Sequence, residues 1–374
     1  MIDLGVVAGE ASGDLLGAHF VRALKQGRPG LRAAGIAGPR MAEAGVDAIY
    51  PSEKLAVNGY VEVLRHLPEL LWIRSRIGRH FLAERPRVFV GIDAPDFNFT
   101  LEARLKAAGI PTVHFVSPSI WAWRPERIER IRQAVSHMLV VFPFEEQIYQ
   151  DAGIPVSYVG HPLADVIPLE PDTAAARAAL GLTPGPVVAL LPGSRLSEVT
   201  RHARLMLDAA ALIRRQYPDA QFVLPAANEA AAKLVQQARQ GLDLDVRVLA
   251  GQSHTALAAC DVALVASGTA TLETALFKKP MVITYRVPAL TAHLMRKKAL
   301  LPWIGLPNIL ARDFVVPERV QEAATPKNLA DDALAWLDDA PRRHAAIETF
   351  RAMHLALRQD ASARIAGAVA PYLD

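Results

Sequence analysis

Short apolar runs alternate with segments of helical periodicity through most of the chain. The runs that predict strands lie at residues 2–8, 87–92, 112–116, 137–142, 187–191, 222–225, 246–249, 262–266 and 281–285. Between most of them, apolar positions recur every three or four residues, a spacing that is typical of helices. Because strands without an exposed polar face are typical of parallel sheets, we expect an α/β fold with helices on both faces of each sheet.

This pattern is interrupted at residues 160–173, GHPLADVIPLEPDT, where prolines and acidic residues replace the periodic apolar positions. After the interruption a strand again ends in a glycine loop and a helix follows, as at the start of the chain. We therefore predict two doubly wound, Rossmann-like domains at residues 1–165 and 166–340, followed by a helical tail at 341–374. Ligands of such folds bind outside the carboxyl ends of the strands, so two facing domains would hold them in a cleft.

The first glycine loop does not match a standard phosphate loop. It reads VVAGEASGDLLGAHF, and its G-x3-G-x3-G spacing fits neither the dinucleotide fingerprint nor the Walker sequence. Its acidic character favours sugar hydroxyls over a pyrophosphate, although a tight turn of small residues would explain it equally well. We expect the loop to line the acceptor side of the site through Gly9, Glu10, Ser12, Gly13 and Asp14.

Two carboxylates follow the strand at 87–92, in the sequence GIDAPDFN. Asp93 comes directly after the strand, so its side chain is expected at the ligand edge as a general base for a hydroxyl nucleophile. Asp96 precedes a helical pattern and is interpreted as a helix cap.

The second domain contains two loops that are suited to binding an anion. Each joins a buried strand to a helix, where free backbone N–H groups and the helix dipole attract negative charge. The residues concerned are Gly193, Ser194, Arg195, Ser267, Gly268 and Thr269. Arg195 adds a forked donor, and Glu273 could accept hydrogen bonds from ribose hydroxyls or be a solvated helix residue. A diphosphate-bearing donor bound by the second domain is the simplest interpretation.

Composition narrows the classes of partner. A single cysteine, Cys260, excludes an internal disulfide framework and is consistent with a cytoplasmic protein, as is the absence of a signal-peptide pattern after Met1. No apolar run is long enough to span a bilayer. The net charge of +3 weakly favours anionic partners. Neither metal-ligand spacing nor a basic and aromatic series is present, so we expect no metal, no cofactor and no nucleic acid.

Two segments combine apolar and basic residues in a way that fits a membrane surface. In GYVEVLRHLPELLWIRSRIGRHF the apolar arc includes Val61, Leu64, Leu67 and Leu71, and Pro68 is expected to split or kink the helix. In HLMRKKALLPWIGLPNIL a basic run precedes Trp303. The ordinary alternative for the first segment is a core-facing helix with solvated arginines.

Six motifs taken together resemble the lipid-A-disaccharide synthase family. They occur in the order AGEASGDLLGA, GIDAPDFN, SPSIWAWRPERI, LPGSRLSEV, ASGTATLETAL and LPNIL, across nearly the whole chain. Singly these motifs are modest, but six in one order are very specific to the family, whose members are glycosyltransferases of the two-domain GT-B architecture.

The resemblance implies an inverting transfer from UDP-2,3-diacylglucosamine to 2,3-diacylglucosamine 1-phosphate (lipid X), giving a β-1,6-linked disaccharide 1-phosphate and UDP. It also implies that Asp93 is the base, Arg195 the phosphate-region arginine and Asn308 a donor-site residue. The enzyme would act as a peripheral protein on the inner face of the inner membrane. The family further implies a homodimer, in which the C-terminal tail either packs on its own N-terminal domain or is exchanged between subunits.

Two other functions remain open from the residues themselves. A UDP-sugar 2-epimerase of the same architecture would need no lipid acceptor and little apolar surface. A non-catalytic peripheral membrane protein that binds UDP-sugars or lipids would not need Asp93.

Overall fold

The computed structural model describes residues 2–9, 11–55 and 60–374, with the side chains of residues 11, 12, 60–65, 290 and 294 outside this description. The chain divides into two compact units. The first comprises Met1–Asp165 together with Leu357–Asp374, and the second comprises Val166–Ala356. Each unit is built around its own parallel sheet.

The first unit contains a seven-stranded sheet in the order β3-β2-β1-β4-β5-β6-β7. Its strands are β1 (Leu4–Ala8), β2 (Ala33–Ala37), β3 (Val46–Pro51), β4 (Val88–Ile92), β5 (Thr112–Phe115), β6 (His137–Val140) and β7 (Val156–Tyr158). Its helices are α1 (Ala11–Gly27), α2 (Pro39–Glu43), α3 (Tyr60–Glu84), α4 (Pro95–Ala107), α5 (Ile120–Trp123), α6 (Ile128–Ala134), α7 (Glu145–Asp151) and α8 (Pro162–Val166).

The second unit contains a six-stranded sheet in the order β10-β9-β8-β11-β12-β13. Its strands are β8 (Val187–Leu191), β9 (Gln221–Ala226), β10 (Arg247–Ala250), β11 (Val262–Ala266), β12 (Met281–Tyr285) and β13 (Glu318–Val320). Its helices are α9 (Thr173–Ala179), α10 (Leu196–Gln216), α11 (Glu229–Arg239), α12 (Ser253–Ala259), α13 (Thr269–Leu276), α14 (Ala289–Lys298), α15 (Leu306–Ala311), α16 (Pro326–Asp338) and α17 (Ala340–Leu357).

The strand orders confirm the prediction of two doubly wound, Rossmann-like sheets. The central strands β1, β4, β8 and β11 are fully buried, which explains their unbroken apolar sequences. In each sheet the order reverses beside the first strand of the unit, between β1 and β4 and between β8 and β11. These are the topological switch points, where the carboxyl ends of the strands open a crevice for ligands.

The C-terminal tail is shared between the two units. Helix α17 extends the second unit to Ala356, and a final helix, α18 (Ala361–Val369), packs on α1 of the first unit in the same chain. Arg87 donates a 2.7 Å hydrogen bond to the carbonyl oxygen of Leu373, and the carboxylate of Asp165 accepts from the backbone N–H of Ala361 at 2.7 Å. These bonds fix the tail to the first sheet.

Helix α3 is continuous through Pro68, so of the two predicted effects of this proline, a split or a kink, the split does not occur. Proline removes one backbone N–H and crowds the preceding turn. The surrounding run of helix formers, and the packing of Ile73, Ile77 and Phe81 in the core of the first unit, stabilise the helix despite that cost.

Candidate functional site

The first glycine loop and the Asp93 loop meet at the switch point of the first sheet. Gly9 follows β1 and Asp93 follows β4, two strands that pair along their whole length. A Cβ atom on Gly9 would lie only 2.7 Å from the Cβ of Ala94, so a larger residue would force the two loops apart. The structure therefore brings these predicted residues together at one edge.

The backbone at Asp93 has an uncommon conformation. Asp93 and Ala94 have φ angles of 50° and 45°, two consecutive non-glycine residues in the left-handed region. The N–H of Asp93 donates to the carbonyl oxygen of Phe115 at 2.9 Å, and its own carbonyl accepts from the side-chain amide of Asn98 at 2.8 Å. These two bonds fix the backbone turn at the half-exposed Asp93.

A buried polar network that the sequence analysis missed lies behind this turn. Glu102 and His114 are fully buried and are joined by a 2.8 Å bond between Oε1 and Nδ1. Burial raises the pKa of Glu102, against the opposing effect of His114. Gly91 makes room for the network, because a Cβ there would lie 2.1 Å from Glu102 Oε1. Glu102 on α4 and His114 on β5 belong to different elements, so no local spacing in the sequence indicates the pair.

Asp14 differs from the expectation that it lines the acceptor side. Its side chain is only 3% exposed, and its oxygens accept hydrogen bonds of 2.9–3.0 Å from the backbone N–H groups of Gly38, Arg40 and Met41. These N–H groups lie at the start of α2, which has no other side-chain cap. Asp14 therefore holds the β2–α2 turn, and any effect on the acceptor would be indirect.

Of the other predicted residues in the first loop, the structure describes the packing of Gly13. Gly13 is buried in the first turn of α1, where a Cβ would lie 3.4 Å from the Cβ of Ala8. Glu10 and the side chain of Ser12 lie outside the described residues. Their assignment to the acceptor side stays a prediction.

A second buried carboxylate lies at the same edge of the sheet, after β6. Glu145 accepts hydrogen bonds of 3.0 Å from the indole N–H of Trp121 and from the backbone N–H of Phe142. Ser117 bonds the hydroxyl of Tyr149 at 2.7 Å beside it. Burial raises the pKa of Glu145 to about 7, although the donors oppose this. The network anchors the SPSIWAW segment, which the sequence analysis used only as a family motif.

In the second unit, the β8 loop opens α10 with a tightly constrained glycine. Gly193 has a φ of 114°, and a Cβ there would lie 2.5 Å from the Cβ of Glu198. Glu198 lies 3.6 Å from the exposed guanidinium of Arg195 and accepts weakly from its backbone N–H at 3.4 Å. Ser194 is exposed beside them. The loop presents N–H groups and one guanidinium to solvent, as an anion site requires.

The β11 loop lies at the same switch point. Ser267 is fixed by a bond from its hydroxyl to the carbonyl oxygen of Ile304, whereas Gly268 and Thr269 are exposed at the start of α13. Glu273 lies one turn later and is 3.6 Å from His254. The structure thus places both predicted anion loops at neighbouring strand ends, and Glu273 lies one turn into α13.

Asn308 does not lie where the resemblance implies, as a residue in direct contact with the UDP-sugar donor. It is fully buried. Its amide nitrogen donates to the carbonyl of Val316 and, at 2.8 Å, to the carboxylate of Glu318, and its oxygen accepts from the backbone N–H of Val316. Glu318 also accepts from the backbone N–H groups of Ile304 and Gly305 at 2.9 Å. Burial raises the pKa of Glu318. Asn308 therefore fixes the turn that holds Ser267, and its side chain is fully occupied by these partners.

The described α3 residues of the predicted apolar surface are exposed. Leu67, Leu71 and Trp72 on α3 are 39%, 45% and 52% exposed. Val61 and Leu64 lie in the part of α3 whose side chains are outside the described residues. Trp303, in the second unit, is half-buried and packs edge-on against Phe314, which is itself exposed.

The described residues contain neither a helix suited to span a membrane nor a cluster suited to hold a metal. No helix there combines the length and the apolar character needed to cross a bilayer. No group of three His, Cys, Asp or Glu side chains there is arranged to hold a metal ion.

Comparison with known proteins gives a family that agrees with this geometry. Residues 4–369 match the family model described as lipid-A-disaccharide synthetase. The chain is 81% identical over 369 residues to the lipid-A-disaccharide synthase of Thiobacillus denitrificans, covering 99% of both proteins. It is 52% identical to that of Methylobacillus flagellatus over the full length of both.

Among solved structures, the chain resembles a UDP-GlcNAc 2-epimerase from Neisseria meningitidis bound to UDP-GlcNAc. The TM-score is 0.64 over 100% of this chain and 99% of that one, at 13% sequence identity. At this identity the likeness establishes the shared fold and nothing about the reaction. The sequence matches over almost every residue are what assign the family: the chain belongs to the lipid-A-disaccharide synthases.

Proposed function

We propose that this protein transfers 2,3-diacylglucosamine from its UDP derivative to the 6-hydroxyl of 2,3-diacylglucosamine 1-phosphate. The products are UDP and the β-1,6-linked disaccharide 1-phosphate. The observation that carries the proposal is the position of Asp93, at the switch point of the first sheet, in a chain of this family. A carboxylate in this position suits the activation of a hydroxyl group.

Asp93 accepts the proton from the 6-hydroxyl as that oxygen attacks the anomeric carbon. The attack comes from the face opposite the departing UDP, so the configuration at this carbon inverts. The left-handed turn at Asp93 and Ala94 supports this role, because its bonds to Phe115 and Asn98 fix the backbone that carries the carboxylate. A prepositioned base avoids the cost of ordering the group during the reaction.

The second unit binds the donor through its two exposed loops. Ser194, Gly268 and Thr269 present backbone N–H groups to the diphosphate, and Arg195 adds a guanidinium that stabilises the negative charge on the leaving UDP. Glu273 accepts from the ribose hydroxyls. Asn308 acts through the turn that it fixes.

The protein works at the inner face of the inner membrane as a peripheral homodimer. The exposed apolar side chains of α3 support contact with lipid. Burying Leu71 and Trp72 in a bilayer would remove their apolar surface from water, which is favourable. Arg76 stacks on Trp72 at 5.2 Å, which places a cation where anionic headgroups would lie. The proposal includes the helical tail at 341–374, either packed on its own N-terminal domain or exchanged between subunits.

The test is UDP release by the purified protein supplied with UDP-2,3-diacylglucosamine and lipid X in detergent. One control omits lipid X, and another replaces the donor with unacylated UDP-N-acetylglucosamine. Release that needs both acylated substrates is the expected result. Release or isomerisation without lipid X would instead indicate a hydrolase or an epimerase, and UDP binding without turnover would indicate a binding protein.

A further inference from the structure

Three arginines from two segments of the first unit converge on one residue, Asp96. Arg127, at the end of a 3-10 turn, bonds Asp96 Oδ1 at 2.9 Å, and Arg130 on α6 lies 3.8 Å from the same oxygen. Arg74 on α3 donates to the backbone carbonyl of Asp96 at 3.2 Å. Asp96 is the second residue of α4, so this basic cluster of Arg74, Arg127 and Arg130 surrounds the first turn of that helix.

The cluster carries more positive charge than its carboxylate can neutralise. Burial, with a smaller contribution from nearby Arg130, lowers the pKa of Arg74, so these cations oppose one another. Three guanidinium groups and one carboxylate leave an excess of two positive charges. The side chains of Asp96 and Arg130 are 74% and 47% exposed and that of Arg127 is 20% exposed, so a ligand can reach the cluster from the Asp96 and Arg130 side. Exposed ion pairs contribute little to folding, so stability alone is a weak reason to assemble them.

An excess of about two charges fits a phosphate monoester, which carries about −1.5 to −2 at neutral pH. Guanidinium groups bind phosphate oxygens through paired hydrogen bonds, and three of them can engage one group from several sides. Asp96 lies in the first turn of α4, where the helix dipole also favours an anion.

The position of the cluster relates it to the reaction. Asp96 is three residues after Asp93, so the chain between their Cα atoms spans at most about 11 Å. One pyranose ring separates the 6-hydroxyl of the acceptor from its 1-phosphate. On the basis of the proposed function, we infer that Arg74, Arg127 and Arg130 bind the 1-phosphate of the acceptor while the 6-hydroxyl lies at Asp93.

The experiment compares two acceptors that differ only in the phosphate: lipid X and 2,3-diacylglucosamine. The variants are Arg74→Gln, Arg127→Gln and Arg130→Gln, and kcat/KM is measured with saturating donor. Each variant should lose about 10- to 100-fold with lipid X, the usual effect of one charge-assisted bond, and should be unchanged with the phosphate-free acceptor. Lysine in place of Arg127 should restore part of the loss.

Arg132→Gln is the matched control. It removes the same charge from α6, but its guanidinium bonds Glu129 and the carbonyl of Ala152 and lies outside the cluster. It should behave as wild type with both acceptors. An equal loss with both acceptors in the cluster variants would mean that the arginines only hold the fold, and the inference would be wrong.

A lipid headgroup offers the same phosphate chemistry, so a second arm distinguishes the two sources. Sedimentation with phosphatidylglycerol and phosphatidylcholine vesicles should give wild-type binding for all variants. If the variants lost binding to anionic vesicles and kept full discrimination between acceptors, the cluster would bind headgroups and not the acceptor.

Direct binding of both acceptors in detergent, measured by titration calorimetry, separates this inference from the proposed function. Absence of wild-type turnover would refute the proposed function. The phosphate site would still be supported if the cluster variants lost the preference for lipid X in binding, and refuted if they kept it.

Discussion

The side-chain amide of Asn98 donates a 2.8 Å hydrogen bond to the backbone carbonyl of Asp93. This bond crosses the left-handed turn at Asp93 and Ala94, which is costly for residues other than glycine. Asn98 is fully buried beneath the turn, and its Oδ1 atom has no hydrogen-bond partner among the described residues. The relationship makes Asn98 a positioning residue for the proposed base.

Asn98→Ala should lower kcat more than it changes KM for either substrate. Without the amide, the carbonyl of Asp93 loses its donor and the turn relaxes, so the backbone that carries the carboxylate is no longer fixed. We expect a loss of about 10- to 100-fold in kcat, since small displacements of a reacting group are costly. Stability should fall by about 1–3 kcal/mol. Steady-state kinetics and urea denaturation measure both, and an unchanged kcat with reduced stability would leave Asn98 a purely structural role.

Asp93→Asn should lower kcat by about 10²–10⁴, the usual contribution of a general base. The amide keeps the size of the side chain and cannot accept the proton from the hydroxyl. UDP binding, measured by calorimetry, should be unchanged because the donor loops lie in the other unit. Asp151→Asn, which changes an exposed carboxylate on α7, provides the control. Near-normal turnover by Asp93→Asn would rule out its assignment as the base.

The sequence predicted the architecture because the central strands are unbroken apolar runs. The strands at residues 187–191, 262–266 and 281–285 were predicted with their observed bounds. The missed strands β2, β3, β7 and β13 are short, rich in alanine or partly exposed, so their sequences contain little apolar signal. Three of these four lie at sheet edges, where one side of the strand has no neighbour.

The candidate site was predictable only in part, for a physical reason. Residues that directly follow buried strands, such as Asp93 and Gly193, can be placed from the strand pattern alone. The partner of a polar side chain depends on tertiary contacts, which a local pattern does not contain. The carboxylate of Asp14 therefore looked like a ligand group although it caps α2, and Asn308 looked accessible although Val316 and Glu318 occupy its amide.

Asp14→Ala should destabilise the first unit. Three backbone N–H groups at the start of α2 would lose their acceptor in a buried place, and we expect a cost of about 2–4 kcal/mol. Urea denaturation measures this, with the exposed Asp47→Ala as control, which should change stability by less than about 0.5 kcal/mol. If Asp14→Ala kept its stability and lost only acceptor affinity, Asp14 would contact the acceptor directly.

The proton on Glu145 links the stability of the first unit to pH. Burial raises its pKa from 4.5 to about 7, so between these values the folded protein keeps a proton that the unfolded chain releases. Where the folded state binds more protons, the free energy of unfolding falls as pH rises. This contribution is fully present below pH 4.5, is lost on the way to pH 7 and is constant above it.

Glu145→Gln should remove this dependence, because an amide does not titrate. From pH 5 to pH 8 the stability of wild type should therefore fall relative to that of the variant, by up to about 3 kcal/mol. Since the Glu145 carboxylate bonds the indole of Trp121, indole fluorescence should follow the same pH window in wild type and not in the variant. Urea denaturation at each pH measures the stability, with Asp151→Asn as the control that keeps the wild-type profile. A pH profile of Glu145→Gln parallel to that of wild type would show that another group carries the proton.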